Sequence, residues 1–303
     1  MKKILFIIVS IIVASFLFDA CSNSSVKTNR LVIIALDGIS VEGFNTAKHP
    51  RLDQLIAEGV LSLDTRNVMP SVTLPNWTSH LTGSGPEQHG VVNNKWELDS
   101  IKLPPVEKDS KGYYPSIFKI LKEQVPGIKT AFYYNWAKLI EPYNQEYLDE
   151  SSFEEGDGYL VNYGKAFDFI VNNKEKPTFV FLYSVHTDHA GHRFGWMSPE
   201  YIASIEEADV HIGEFLERLK TEGLYENTHF MFLTDHGGIG KGHGGVSTTE
   251  MIVPWSITGT GIKSGEKLTE PNNTVNTAAT IAYLFGCKPP LSWTGEVPAT
   301  IFK

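Results

Sequence analysis

The densest chemistry in the sequence lies in Asp235-His236-Gly237-Gly238, followed shortly by His243. Two imidazoles and a carboxylate in a glycine-rich turn can close on a metal ion without steric obstruction. Neutral imidazole and carboxylate are ligand types that zinc takes, at about 2.0–2.2 Å; manganese and iron accept similar donors. A second cluster, Asp188-His189-Ala190-Gly191-His192, sets an acid and an imidazole four positions apart, on one face if the stretch is a helical turn. Asp37 adds a third carboxylate. Any one of these alone reads as a capping or hydrogen-bonding residue; together they describe a metal centre.

Ser71-Val72-Thr73-Leu74-Pro75-Asn76-Trp77 supplies a hydroxyl ahead of a helix expected over residues 75–81, with Pro75 suited to its first turn. Free N–H groups and the positive end of the helix dipole make such a position a phosphate site. From these residues alone, Thr73 is either the N-cap or a nucleophile. A metal pair beside it favours the nucleophile, because a metal can hold the hydroxyl as an alkoxide.

These side chains need elements that bring them together. Residues 31–36 are continuously apolar, the pattern of a strand buried on both faces. Further strands are expected over 129–134, 178–185 and 229–233. Helices are expected over 49–59, with Gly59 as the stop, and over 114–124, 199–219 and 274–285. Apolar strands alternating with helices predict an α/β sandwich with a central, mostly parallel sheet flanked by helices. In such sheets ligands bind beyond the carboxyl ends of the strands. Asp37, Asp188 and Asp235 all follow strand ends. Residues 93–113 and 137–157 are less regular and are expected to form cap or substrate loops.

The 303-residue chain carries 26 basic and 35 acidic residues, a net charge of −9. It has no basic run, which argues against nucleic-acid binding by a charged face. An acidic protein that handles phosphate needs cations or local donors at its site. Lys2 and Lys3 precede an apolar run over residues 4–18, too short to span a bilayer comfortably and suited to an export signal. The run ends in Phe18-Asp19-Ala20-Cys21-Ser22, which looks like a lipoprotein box. The expectation is a signal peptide over 1–20, a lipid anchor at Cys21, a tether over 21–30 and one catalytic domain over 31–303. Location would then be periplasmic or on the bacterial outer membrane. With Cys21 lipidated, Cys287 is left as a small core residue, and no intramolecular disulfide is possible.

Asp37 in LVIIALDG, Thr73 in SVTLPN, the GPEQHGVVNN stretch, Asp188 to His192 as D-x-x-G-H, DHGG at Asp235, and His243 occur in one order. That order resembles the type I phosphodiesterase/nucleotide pyrophosphatase family of the alkaline-phosphatase superfamily. The resemblance implies an alkaline-phosphatase-like sandwich and two divalent metal ions, zinc by default. It implies that Asp37, Thr73, Asp235 and His236 hold one ion, and Asp188, His192 and His243 the other. Thr73 would be the nucleophile, forming a phospho-threonine intermediate. Asn94 would contact a phosphate oxygen; Asn76 and His89 would be structural. The implied substrate is a small phosphate ester, a diester or pyrophosphate.

Two departures bear on substrate. Leu74 stands where nucleotide-acting members carry an aromatic residue, leaving Tyr133, Tyr134 or Trp136 as stacking candidates. Only a short loop separates His236 from His243, where those members carry a long insertion. The competing readings are a phosphomonoesterase or a phosphonate hydrolase on the same fold. No Lys or Arg lies between Asn67 and Asn94, which favours a diester, while Lys241 and Arg193 sit near ligands in sequence. The Thr73 region lacks the C/S-x-P-x-R setting of a sulfatase. A non-catalytic surface-binding lipoprotein would need a broken ligand set, and this set is intact.

Overall fold

The computed structural model describes residues 28–156 and 158–303. The export-type segment, Cys21 and most of the expected tether lie outside the described residues.

Strand β1, Arg30–Leu36, is buried along its whole length. A run of Leu, Val and Ile requires this, because alternate side chains point to opposite faces and both must be covered. The other strands are β2 (Gly59–Arg66), β3 (Lys129–Tyr134), β4 (Glu150–Phe153), β5 (Thr178–Ser184), β6 (His229–Leu233), β7 (Ile252–Thr258) and β8 (Glu266–Lys267). They form one sheet in the order β4-β3-β5-β1-β6-β7-β2-β8. The sheet is parallel from β4 through β6, and β7 runs antiparallel to both β6 and β2. The mostly parallel sheet expected from the sequence is therefore present, with an antiparallel flank.

Eight helices of six or more residues surround it: α1 (Val41–Thr46), α2 (Pro50–Ala57), α3 (Thr73–Thr82), α4 (Ile117–Gln124), α5 (Tyr159–Asn172), α6 (His186–Phe194), α7 (Pro199–Thr221) and α8 (Asn276–Leu284), counted among the described residues. On one face, Trp77, Phe118 and Ile281 of α3, α4 and α8 pack with Leu31, Ile33 and Ala35. On the other, Phe44, Leu55, Phe169 and Ile212 of α1, α2, α5 and α7 pack with Val32, Ile34 and Leu36. Each such side chain contributes roughly 1.5–3 kcal/mol when fully buried. Odd-numbered β1 positions face α3, and that parity carries on to Asp37.

The flank departs from the sequence reading. Gly59 does not simply stop α2; it opens β2, where an added Cβ would lie 2.1 Å from the Ile257 carbonyl oxygen. β7 contains Pro254, which lacks an N–H and would ordinarily argue against an inner strand. The β2–β7 register slips between the pairs Ser62–Trp255 and Thr65–Val253, so Pro254 falls in the break. β6 pairs with β7 only as far as Trp255, so no ladder donor is needed from Pro254 on that side. Within residues 137–157, β4 extends the sheet edge instead of forming a cap. Its sequence, Glu-Ser-Ser-Phe, is mostly exposed and carries no apolar run to reveal it.

Candidate metal centre

β5, β1 and β6 lie side by side, with Leu36 opposite Ser184 and Ala35 opposite Leu233. Their chains leave the sheet at one level and deliver the acidic residues to one place. Asp37 follows β1, Asp235 lies just past β6, and Asp188 sits in the first turn of α6. Gly38 turns the chain after Asp37 at φ 73°, and a Cβ there would come within 3.0 Å of Asp188. Only glycine meets both demands.

Two groups emerge. His236 Nε2 lies 3.4 Å from Asp37 Oδ1, 3.3 Å from Asp235 Oδ2 and 3.3 Å from Thr73 Oγ1. Asp188 Oδ2 lies 3.5 Å from His192 Nε2, and Asp188 Oδ1 lies 3.7 Å from His243 Nε2. The helical turn supposed for Asp188 and His192 is real. Asp188, His192 and His243 form one compact donor cluster; Asp37, Asp188 and His236 form another, which crosses the two implied ligand sets. Asp188 thus stands at the boundary between them.

The imidazoles are aimed by their other nitrogens. Nδ1 of His236, His243 and His192 pairs with the backbone carbonyls of Gly237, Ser71 and Lys241 at 2.9, 2.9 and 3.0 Å. In the neutral ring this makes Nδ1 the donor and leaves the Nε2 lone pair facing the cluster, as in metal-ligating histidines. Asp37 Oδ1, Asp188 Oδ1 and Asp235 Oδ2 are buried with no hydrogen-bond partner among the described residues. Burial, then the charge of Asp188, pushes Asp37 well above the usual carboxylate range. Burial and then Asp37 do the same to Asp235. Burial brings Asp188 up to about 7. His236 is pushed down by burial and then by His243. Three buried carboxylates with orphaned oxygens and neutral imidazoles facing inward are unfavourable by themselves and suited to divalent cations. The residues fit such a group.

Thr73 is not the N-cap. Val72 occupies that position, α3 begins two residues earlier than expected, and Thr73 is its first helical residue. Its Oγ1 is therefore not needed for capping and faces His236. Asn94 Oδ1 accepts from the Leu74 amide at 2.8 Å, and the residue lines the cleft beside Thr73. Asn76 spends its amide on Val68, Pro70 and Val72 carbonyls, and its Oδ1 accepts from the Val68 amide, a structural role as expected. His89 pairs with Ser79 and Val91, and burial brings it down to about 3.

A cavity of about 220 Å3 opens here, lined by Thr73, Asn94, Trp136, Val185, Asp188, His189, His192 and His243. Of the stacking candidates only Trp136 reaches it; Tyr133 and Tyr134 are buried in the sheet. Leu74 is fully buried. Neither Arg193 nor Lys241 lines the cavity, and Lys241 Nζ donates to the Arg193 carbonyl. His186 does not reach it: its ring stacks on Tyr159, 4.1 Å between centroids. A larger cavity, about 530 Å3, lies across His189 between α5, α6 and α7, and contains none of the seven implied ligands.

Several supports were missed in the sequence. Trp196 lies flat enough against Gly191 and Gly238 that a Cβ at either would meet its ring at 2.8 and 2.2 Å. That ring stands beside His192 and His243. Asn67 Nδ2 donates to the Asp235 and Glu250 carbonyls. Glu250 accepts from the Gly245 amide and Ser247, tying down the loop that carries His243. A tryptophan soon after D-x-x-G-H was the one visible signal among these.

A sequence profile described as "Type I phosphodiesterase / nucleotide pyrophosphatase" matches residues 31–243. Bovine bis(5'-adenosyl)-triphosphatase ENPP4 is 27% identical over 227 residues, covering 71% of this chain and 49% of that protein. Human ENPP4 is 27% identical over 250 residues, covering 78% and 53%. The chain spans about half the length of these curated relatives. Among solved structures, an inactive form of murine ectonucleotide pyrophosphatase/phosphodiesterase 5 in complex with AMP superposes with a TM-score of 0.75 at 14% identity, covering 91% of this chain and 100% of that one. The lipoteichoic acid synthase LtaP from Listeria monocytogenes gives 0.69 at 19% identity, covering 90% and 76%. These likenesses establish the fold.

Proposed function

The chain belongs to the type I phosphodiesterase/nucleotide pyrophosphatase family, and from that membership we propose that it is a metal-dependent phosphodiesterase whose nucleophile is Thr73. The observation that carries the reading is Thr73 Oγ1, free of capping duty and 3.3 Å from His236 Nε2, among carboxylate oxygens that lack partners. Asp37, Thr73, Asp235 and His236 would hold one divalent ion, and Asp188, His192 and His243 a second, zinc by donor type. Bound there, the ions would stabilise charge on the attacking and leaving oxygens.

The chain's own groups do the rest. Thr73 Oγ1 attacks phosphorus as the bond to the leaving oxygen breaks on the opposite side. The alcohol leaves with a proton, and phospho-Thr73 remains. Water then cleaves the new P–O bond, restoring the Thr73 hydroxyl and releasing a monoester. Asn94 Nδ2 and the Thr73 amide, which has no helical partner at the first position of α3, donate to the non-bridging oxygens. Among the described residues no Lys or Arg lines the cavity to neutralise the extra charge of a monoester. That favours a small diester or pyrophosphate. Leu74 is buried, so any aromatic leaving or retained group has Trp136 as its stacking surface.

The test is hydrolysis of bis-p-nitrophenyl phosphate and p-nitrophenyl phosphate in parallel, with Thr73→Ala and with a chelator. Diester preference lost in both controls supports the reading. Monoester preference moves it to a phosphatase. Activity on a phosphonate ester alone moves it to a phosphonate hydrolase. Metal binding without turnover of any ester would favour a binding lipoprotein. The apolar run over residues 4–18 and Cys21 support export and lipidation, with the domain in the periplasm or on the outer membrane. Detergent-phase partitioning that persists in Cys21→Ala would sink the anchor.

A further inference from the structure

We infer that Tyr183 and Trp77 are positioning residues that aim Asp37 at one metal position and set that position's affinity separately from the other. The inference rests on the two-metal reading above.

Asp37 is fully buried, and its two oxygens live in different surroundings. Oδ2 accepts from both the Tyr183 hydroxyl, at 2.5 Å, and Trp77 Nε1, at 3.2 Å. Oδ1 accepts from nothing among the described residues and lies 3.4 Å from His236 Nε2. Rotating the carboxylate would break two hydrogen bonds where no water can replace them. One oxygen is thus saturated by neutral donors and the other is held out as the single free acceptor. Asp37 is set up to bind through Oδ1 alone.

The donors come from two layers of the fold. Tyr183 lies on β5, paired with Ala35 of β1. Trp77 lies on α3, four residues after Thr73 and so on the same helix face. The rings hold each other, edge to face at 5.6 Å and 90°, and Trp77 also meets Phe181 at 5.5 Å. Both side chains are fully buried. The helix that presents the nucleophile therefore also orients the carboxylate opposite it. Asp188 has no equivalent: among the described residues neither a hydroxyl nor an indole donates to it, and its oxygens face His192 and His243.

This asymmetry gives the test. The full chain, purified in detergent and stripped of metal, is titrated with Co2+ and followed by visible absorption and calorimetry. The unaltered protein is expected to take two equivalents. In Tyr183→Phe, which removes one hydroxyl and no ring, one equivalent weakens about 10–100-fold while the other is unchanged. In His192→Ala, whose ring belongs only to the cluster with Asp188 and His243, the opposite equivalent weakens, which identifies each. Both equivalents within twofold of normal in Tyr183→Phe, or both weakened alike, would overturn the inference. The melting temperature of the stripped variant checks its fold; if Tyr183→Phe does not fold, Trp77→Phe in the same titration decides. Fewer than two equivalents in the unaltered protein would remove the two-metal reading and this inference with it.

Discussion

Asn94 turns on the orientation of one amide. Its Oδ1 is committed to the Leu74 N–H, so under the proposed function only Nδ2 is left to donate to a substrate. Asn94→Asp keeps the acceptor and replaces the donor with a second acceptor. The expected outcome is a fall in kcat of about 10²–10³, the usual loss for one donor to a developing charge, with the melting temperature unchanged. Steady-state kinetics beside calorimetry checks this. A loss under tenfold would mean that Nδ2 does not touch the phosphoryl group. The sequence pointed to Asn94 only through resemblance, because nothing local distinguishes it from Asn93. The hydrogen bond to Leu74 distinguishes it.

At the scale of elements, a cluster of charge pins the start of β4 to β3 and α4. Asp149, just before β4, takes Lys122 of α4 at 2.6 Å, Lys129 of β3 at 2.8 Å and the Thr130 amide at 2.9 Å. Burial works to raise its pKa, but these partners outweigh it and bring the carboxyl from 3.8 to about 2. A depressed folded-state pKa means stability that is present above about pH 4 and lost as pH falls through 2. Asp149→Asn is expected to destabilise the protein by about 1 kcal/mol at pH 7, the upper end for partly exposed ion pairs. Denaturation from pH 7 to pH 2 should show the gap closing below pH 4; a constant gap would mean that charge is not what holds the edge. β3 was legible residue for residue: Ala131 to Tyr134 form its apolar stretch, and the turn at Pro126-Gly127 marks where it begins. β4 was not, because an exposed edge strand needs no pattern. β7 was hidden by Pro254, which only the register break beside β2 accommodates.

For the whole molecule, the decisive quantity is the charge gathered at one sheet edge. Asp37, Asp188 and Asp235 have folded-state pKa values above those of an unfolded chain, with Asp188 at about 7. A raised carboxylate pKa gives stability that is full below about pH 4 and declines as pH climbs through the folded value. The metal-free protein should therefore lose stability between pH 5 and pH 8. Divalent ions bind the deprotonated form and offset that loss. The rise in melting temperature on adding Zn2+ should be larger at pH 8 than at pH 5. A rise that shrinks with pH would contradict the carboxylate cluster as the binding site.

What the sequence determined by itself were the residue types, their order and the periodicity of each segment. Those sufficed for a mostly parallel sheet with Asp37, Asp188 and Asp235 at the carboxyl ends of its strands, and for Thr73 beside a helix start. The tertiary structure decided which atom of each faces inward. Thr73 is released from capping because Val72 takes the N-cap. His243 is aimed by the Ser71 carbonyl, and Asp37 by Tyr183 and Trp77. These contacts join residues far apart in the chain through strand register and helix docking. Local sequence patterns report only on neighbours within a few positions, so they carry no record of such pairings.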